Sequence, residues 1–177
     1  GTIGLQVRRS SHLLLPWFRS ERSTPIKSYF PPMPPIESVT RFDFDAIVTV
    51  WEASVRATHE FLSEADILAY RSMFPACLDS VDLYCFRDGD RITGFIGVAD
   101  QKVEMLFIHP DYRAKGLGRA LMRFATEELQ VNKVDVNEEN AAAAEFYFHL
   151  GFETAGRSAV DGLSKPHPLL HLQIRPK

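Results

Sequence analysis

A basic, glycine-containing loop stands just before an amphipathic helix in the middle of the chain. It combines three cations with two glycines, which are Arg113, Lys115, Arg119, Gly116 and Gly118. The N-terminus of a helix presents unpaired backbone N–H groups and the positive end of the helix dipole, so it attracts phosphate. Glycine has no Cβ, which lets the backbone approach a ligand closely. The loop therefore predicts a site for a diphosphate group.

Two common phosphate-binding patterns do not fit this loop. The chain contains no G-x-x-x-x-G-K-[ST] sequence, which excludes a Walker A loop. A dinucleotide-binding fingerprint needs a third glycine, and Leu121 occupies that position. The pattern that remains is Arg113-x-x-Gly116-x-Gly118.

A second motif follows closely along the chain. Its fixed positions are Asn140, Ala143, Tyr147, Gly151 and Phe152. Asn140 and Tyr147 are two helical turns apart, so their side chains share one face of a helix. Gly151 suits the left-handed residue that ends such a helix. The motif predicts a helix that presents Asn140 and Tyr147 on the same side.

Together these motifs resemble the two signatures of the GNAT superfamily of acetyltransferases, R/Q-x-x-G-x-G/A and N-x-x-A-x-x-x-Y-x-x-x-G-F. The chain is also similar to a small bacterial subgroup, the YjaB-like proteins, through residues 51–62, 156–161 and 165–170. The resemblance covers roughly residues 36 to 174. It implies an enzyme that moves the acetyl group of acetyl-CoA to a primary amine by direct attack in a ternary complex.

The resemblance also implies how acetyl-CoA is held. In GNAT proteins the loop amides bind the diphosphate, and the pantetheine arm lies like an extra strand in a split of the central sheet. The residues that the resemblance assigns to cofactor binding are Leu106, Phe107, Ile108, Arg113, Ala114, Lys115, Gly116, Leu117, Gly118, Arg119, Asn140 and Tyr147. Asn140 is expected to hold the pantetheine arm, and a backbone N–H near Leu106 is expected to stabilise the oxyanion. No metal is expected.

Acetyl transfer to an amine requires a group that accepts the amine proton and a group that protonates the departing thiolate. The resemblance implies that Tyr147 donates the proton to the sulfur. Glu104 is the favoured base, because it lies two residues before Leu106 and shares its strand face by the period-two rule. His59, in the connection between the first two helices, is the rival base. His109 has the opposite strand parity and is expected to be structural.

The sequence does not identify which amine accepts the acetyl group. It is a protein or peptide amine, from a lysine or an N-terminus, or else a small molecule such as a polyamine or an antibiotic. His167, which lies between two prolines, is a candidate for the mouth of the acceptor site. The alternative from another class is a non-catalytic acetyl-CoA-binding sensor or scaffold domain. The presence of both Glu104 and Tyr147 favours turnover.

The elements that position these residues follow from periodicity and turn signals. Strands are predicted over residues 36–40, 81–87, 91–98, 102–109, 133–137, 152–158 and 169–174. Helices are predicted from Asp43, from Ser63 to about Ser72 before Pro75, over residues 116–130, and over the second motif. This order predicts an α/β fold with a central mixed, mostly antiparallel sheet of six or seven strands and helices on both faces. The resemblance adds a split of the sheet beside the acetyl-CoA loop.

The amino-acid composition limits the class of protein further. The chain has 177 residues, of which 45% are hydrophobic and 24% charged, with a formal net charge of −3. The net charge of −3 gives no indication of nucleic-acid binding, which usually needs a clustered basic surface, and no apolar run approaches the ~20 residues of a membrane-spanning helix. Cys77 and Cys85 lack the spacing of a zinc site or a disulfide framework. We expect a cytoplasmic monomer or homodimer.

Charge is unevenly distributed along the chain. Residues 1–30 carry five Lys and Arg against Glu21 alone, and a proline-rich run follows over residues 31–35. Such a run favours an extended linker. We therefore expect a basic N-terminal arm and linker over residues 1–35 and one acetyltransferase domain over residues 36–177.

Overall fold

Seven strands and four helices make up the part of the chain that the computed structural model describes, residues 33–162 and 164–175. In chain order they are β1 (Glu37–Ser38), α1 (Phe44–Arg56), α2 (Glu64–Leu78), β2 (Asp82–Asp88), β3 (Arg91–Ala99), β4 (Lys102–Ile108), α3 (Leu117–Glu127), β5 (Lys133–Asn137), α4 (Ala141–His149), β6 (Glu153–Ser158) and β7 (Leu169–Gln173). The arm and linker predicted over residues 1–35 lie almost wholly outside the described residues, and that boundary stays a prediction.

The strands form one sheet in the order β1-β2-β3-β4-β5-β7-β6. Neighbouring strands are antiparallel except for β4 and β5, which are parallel. The β2–β3 hairpin turns at Asp88-Gly89-Asp90, where Gly89 has a φ of +59° that glycine adopts without strain. The predicted mixed, mostly antiparallel sheet is confirmed.

The parallel pair is joined only at its base. Lys102 pairs with Lys133 and Val103 with Val134, and no further pairing between β4 and β5 occurs among the described residues. The two strands then separate, β4 continuing to Ile108 and β5 to Asn137. This separation opens the sheet where β4 runs toward the basic loop.

Different helix pairs cover the two faces of the sheet. Helices α1 and α2 bury Trp51 and Phe74 against Phe95 of β3, whereas α3 and α4 bury Leu121 and other apolar side chains against Ile96. Phe95 and Ile96 are adjacent in sequence and both fully buried, as expected for a strand whose side chains alternate between two covered faces. Helices on both faces are confirmed.

The first helix begins directly after Asp43, as predicted. Asp43 precedes α1 but makes no side-chain cap of that helix. Its carboxylate instead accepts a hydrogen bond of 2.9 Å from the backbone N–H of Thr40, which caps a short 3₁₀ turn over Arg41–Asp43. The Asp43 side chain therefore takes part in a capping box at the turn before α1 and does not cap α1 itself.

The second helix begins as predicted but ends later. The Ser63 hydroxyl accepts a hydrogen bond from the N–H of Asp66, which completes a capping box. The helix runs through Pro75 to Leu78 instead of ending near Ser72. Phe74 and Leu78 are buried against the sheet, and their burial offsets the hydrogen bond that Pro75 cannot donate.

None of the helices in the described ranges is long and apolar enough to span a membrane.

Candidate active site

The loop before α3 has the backbone geometry of an anion-binding turn. Gly116 is the N-cap of α3 with a φ of +84°, and Ala114 also has a positive φ, of +58°. The first four N–H groups of a helix have no partner within the helix, so those of residues 116–119 point away from it. A Cβ on Gly118 would lie 3.5 Å from Cζ of Phe146, which places the first turn of α3 directly on α4.

The three cations of this loop have different surroundings. Lys115 and Arg119 are exposed, and Nζ of Lys115 lies 4.6 Å from the ring centre of Tyr112. The guanidinium of Arg113 is turned toward α1, where it donates to the carbonyl oxygen of Ser54 at 3.1 Å and to its hydroxyl at 3.2 Å. A cation is favourable there, because the last turn of a helix carries partial negative charge. The side chain of Arg113 therefore ties the loop to α1.

A narrow cleft of about 120 Å³ occupies the space between the separated strands. It brings together six of the predicted site residues, which are His59, Glu104, Leu106, Phe107, Asn140 and Tyr147. The complete lining is His59, Val103, Glu104, Met105, Leu106, Phe107, Val134, Asp135, Val136, Asn137, Asn140, Ala143 and Tyr147. Ile108 and residues 113–119 are not part of this lining, so the structure divides the predicted residues between a cleft and a loop.

Tyr147 lies in the apolar part of the cleft wall. Its ring packs edge-on against Phe146 and Phe152, with ring centres 5.2 and 5.9 Å away, and the residue is 7% exposed. Burial raises the pKa of the Tyr147 phenol, because the charged form loses its hydration. The hydroxyl is therefore protonated at neutral pH and available as a donor.

Asn140 lies at the N-terminus of α4 and faces the same cleft. Its Oδ1 accepts a hydrogen bond of 3.1 Å from the N–H of Ala143 and so caps the helix. The side-chain amide nitrogen is the part of Asn140 that can donate to a ligand in the cleft. Gly151, with a φ of +90°, follows the C-cap Leu150 of this helix, as the motif predicted.

Glu104 lies at an irregularity of β4. Gly97 pairs with Met105 and the next residue, Val98, pairs with Val103, so the ladder skips Glu104. This β-bulge breaks the period-two alternation, and Val103 and Leu106 both pack toward α3 and α4 although they are three residues apart. Glu104 and Leu106 both line the cleft, and the expectation that they share one strand face stays a prediction.

A chain of polar contacts that the sequence did not predict begins at Glu104 and involves four strands, β4, β5, β7 and β6. The ammonium of Lys102 lies 3.3 Å from the Glu104 carboxylate and 2.7 Å from that of Asp135. Asp135 also accepts from Nδ1 of His171 at 2.7 Å, and Nε2 of His171 lies 2.7 Å from the Ser158 hydroxyl. The network forms because β7 lies between β5 and β6 in the sheet. The spacing of these residues in the sequence therefore does not predict it.

His59 stands on the opposite wall of the cleft. The hydroxyl of Thr58 donates to the carbonyl oxygen of Ser54 at 2.8 Å, so it must accept from Nδ1 of His59 at 2.9 Å. We assign the proton of the neutral ring to Nδ1 on this basis, which leaves Nε2 as the acceptor. Burial lowers the pKa of His59, a hydrogen bond to the backbone of Val55 opposes this, and the charge of Arg113 lowers it further. The ring is neutral at pH 7.

A second, mostly apolar cavity of about 280 Å³ adjoins the cleft. Three residues, His59, Phe107 and Asn137, line both spaces. The other lining residues come from α1, α2, the connection between them and the β6–β7 loop, and are Trp51, Val55, Phe61, Leu62, Tyr70, Met73, Phe74, Cys77, Asp161 and His167. The sequence motifs gave no signal for this cavity, apart from the expectation that His167 faces an acceptor site.

His109 does not line either space. Its Nε2 lies 2.9 Å from the guanidinium of Arg91, and its Nδ1 accepts from the N–H of Asp111 at 3.3 Å. These contacts support the structural role expected for it. No group of three or more His, Cys, Asp or Glu within the described ranges is arranged to hold a metal ion.

Comparisons with known proteins give the family. Residues 79–154 match the family described as "Acetyltransferase (GNAT) domain". The chain is 36% identical over 129 residues to the peptidyl-lysine N-acetyltransferase YjaB of Salmonella typhimurium, a match that covers 72% of this chain and 89% of the relative.

Solved structures share this fold, and one of them comes from a relative that is more than 30% identical. The solution structure of apo-form YjaB from Escherichia coli matches with a TM-score of 0.74 at 34% identity, covering 81% of this chain and 98% of the other. A PaiA N-acetyltransferase from Thermoplasma acidophilum, solved in complex with coenzyme A, shares the fold with a TM-score of 0.63 at 18% identity, covering 80% of this chain and 98% of the other. The chain belongs to the GNAT family and is an N-acetyltransferase.

Proposed function

We propose that this acetyltransferase moves the acetyl group of acetyl-CoA to the side-chain amine of a lysine in a protein or peptide. The observation that carries the proposal is the cleft between β4 and β5, which gathers Tyr147, His59, Glu104 and Asn140 beside an open helix N-terminus. Two comparisons support the choice of substrates, since the Salmonella relative is named for peptidyl-lysine acetylation and a structural neighbour was solved with coenzyme A.

The α3 N-terminus and the split sheet suit the two halves of the coenzyme. Backbone N–H groups of residues 116–119, with the exposed Lys115 and Arg119, would bind the diphosphate. The unpaired edge of β4 over Leu106, Phe107 and Ile108 would hydrogen-bond the amide groups of the pantetheine arm, as one strand pairs with another. The amide nitrogen of Asn140 would donate to the same arm.

The amine needs a proton acceptor within the acceptor space. His59 lines both the cleft and the adjoining cavity, and its neutral ring carries an acceptor at Nε2. Glu104 lines only the cleft, and its carboxylate is already paired with Lys102. This geometry favours His59 as the base, with Glu104 acting through water as the alternative.

The reaction then proceeds by direct attack. The amine nitrogen bonds to the thioester carbonyl carbon, His59 takes the proton that the nitrogen loses, and a backbone N–H near Leu106 donates to the oxyanion. As the carbon–sulfur bond breaks, Tyr147 gives its phenolic proton to the sulfur. The products are the N-acetylated lysine and the free thiol, and proton exchange with solvent restores both side chains.

Purified protein incubated with acetyl-CoA and single-lysine peptides tests the proposal. Peptides with blocked termini should gain one acetyl group by mass spectrometry while free thiol is released in equal amount. Matched peptides whose lysine is already Nε-acetylated should give no thiol above the rate without peptide. Acetylation of small amines alone, with every lysine peptide unreacted, would contradict the proposed acceptor while leaving the acetyltransferase activity in place.

A further inference from the structure

The apolar cavity beside the cleft has the size of a single large side chain. Its volume is about 280 Å³, whereas an engineered apolar cavity of about 150 Å³ takes up benzene. His59, Phe107 and Asn137 line both the cavity and the cleft, so a group in the cavity lies next to whatever reacts in the cleft. The cavity therefore has room for one bulky group beside the acceptor amine.

The walls of this cavity are built for apolar contact. The rings of Trp51 and Phe74 stack with centres 4.7 Å apart. Phe61 packs against His59, and Met73 lines the cavity with 46% of its surface exposed. Methionine adapts to different shapes and packs favourably on aromatic rings, so an exposed methionine in an aromatic cavity is suited to an apolar ligand.

Contacts between distant parts of the chain fix the cavity in place. The hydroxyl of Tyr70 on α2 donates to Oδ2 of Asp161 in the β6–β7 loop at 2.5 Å. The ammonium of Lys165, in the same loop, pairs with Asp66 on α2. These contacts hold the loop against the helix before any ligand binds, which reduces the entropic cost of filling the cavity.

We infer that the cavity binds the side chain of a large apolar residue, aromatic or Leu or Met, that flanks the acetylated lysine in a peptide acceptor. The inference rests on the proposed function. The lysine amine must meet the thioester where the cleft and the cavity join, beside His59, and the cavity of about 280 Å³ leaves room for the side chain of a neighbouring residue of the same peptide.

A set of blocked single-lysine peptides tests the inference. The two positions on each side of the lysine are varied one at a time among Phe, Leu, Ala and Asp. At one position Phe or Leu should raise kcat/KM about 10- to 100-fold over Ala, the usual value of burying such a side chain. Asp at that position should fall below Ala.

Two substitutions on the same helix distinguish the cavity from the rest of the surface. Met73→Asp puts a charge into the cavity and should reduce the Phe-to-Ala ratio to near one. Leu68→Asp is the matched control, because Leu68 is 52% exposed on α2 and lies outside the cavity lining. That variant should keep the ratio of the parent protein.

The outcomes separate this inference from the function on which it rests. Equal kcat/KM for all flanking residues, or a Met73→Asp variant with an unchanged ratio, would overturn the inference and leave lysine acetylation standing. Failure to acetylate any peptide would instead remove the proposed function. Acetylation of free aromatic amines such as tryptamine, with no peptide reacting, would assign the cavity to a small molecule and overturn the inference.

Discussion

Lys102 on β4 and Asp135 on β5 are joined by an ion pair of 2.7 Å at the point where the two strands separate. Burial works against the charge of Lys102, but the hydrogen bond to Asp135 and the nearby Glu104 raise its pKa overall. Burial also works against the charge of Asp135, and its bonds to Lys102 and His171 lower its pKa overall. The pair therefore places two ionised groups where β4 and β5 are still joined, and Asp135 also lines the cleft.

Removing one partner of this pair should destabilise the fold. Lys102→Met leaves the half-buried Asp135 carboxylate without its ammonium, and we expect the free energy of unfolding to fall by about 1–3 kcal/mol. Urea denaturation measures this loss. Lys133→Met, an exposed lysine on the neighbouring strand, is the control and should change stability by less than about 0.5 kcal/mol. Equal losses for both variants would show that the ion pair contributes nothing.

The pH dependence of kcat should identify the base. Because the pKa of His59 is lowered, the neutral ring persists below the ordinary value of about 6.5, and activity should decline only below that pH. His59→Gln should lose this decline at acid pH, which is the acidic limb of the pH–rate profile. It should regain part of its rate at high pH, where free amine is abundant. Glu104→Gln should keep the limb. A limb that is absent in Glu104→Gln and present in His59→Gln would assign the proton to Glu104.

Tyr147→Phe tests proton donation to the sulfur. The ring packing against Phe146 and Phe152 is retained, so acetyl-CoA binding by calorimetry should be nearly unchanged. We expect kcat to fall roughly 10²–10⁴-fold, the usual contribution of a general acid. Tyr84→Phe, which keeps its ring against Phe124 away from the cleft, should turn over normally. Normal turnover of Tyr147→Phe would mean that the thiolate departs without this phenol.

Two substitutions of Gly118 separate folding from coenzyme binding. A Cβ at this position lies 3.5 Å from Phe146, an ordinary contact, so Gly118→Ala should fold with an unchanged or slightly higher Tm. Gly118→Val adds bulk where the coenzyme diphosphate is proposed to lie and should abolish the rise in Tm that acetyl-CoA produces. ATP should raise the Tm of the parent much less. A full acetyl-CoA shift in Gly118→Val would place the diphosphate elsewhere.

Asp66 should make stability depend on pH in the acid range. Hydrogen bonds from Lys165 and Ser63 lower the pKa of Asp66 to about 2, against about 3.8 in the unfolded chain. The unfolded state therefore binds more protons between these values, and the stabilisation is complete above pH 4 and lost as the pH falls toward 2. The Tm difference between the parent and Asp66→Asn should be clear at pH 7 and small at pH 2.5. A difference that stays constant across this range would show that the carboxylate is unpaired in solution.

Rules that depend on a few consecutive residues predicted most of the helices and strands and located the two motifs. Turn chemistry at Asp88-Gly89-Asp90, the capping box at Ser63 and the left-handed Gly151 each depend on a few consecutive residues, and the structure has all three as predicted. The loop of residues 113–119 and the helix from Asn140 to Gly151 could likewise be located, because helix termini and glycine positions are encoded locally. The family resemblance then implied the split sheet, which the structure confirms.

What the sequence by itself determined is therefore the order of the elements, the family and six of the residues that line the cleft. Only the tertiary structure decided that Arg113 reaches Ser54 on α1, that a bulge occurs at Glu104, and that Lys102 and Asp135 meet. It also decided that a loop near residue 165 closes an apolar cavity against α2. These features depend on which strands and helices become neighbours, and β7 lies between β5 and β6 through long-range pairing that no local pattern records.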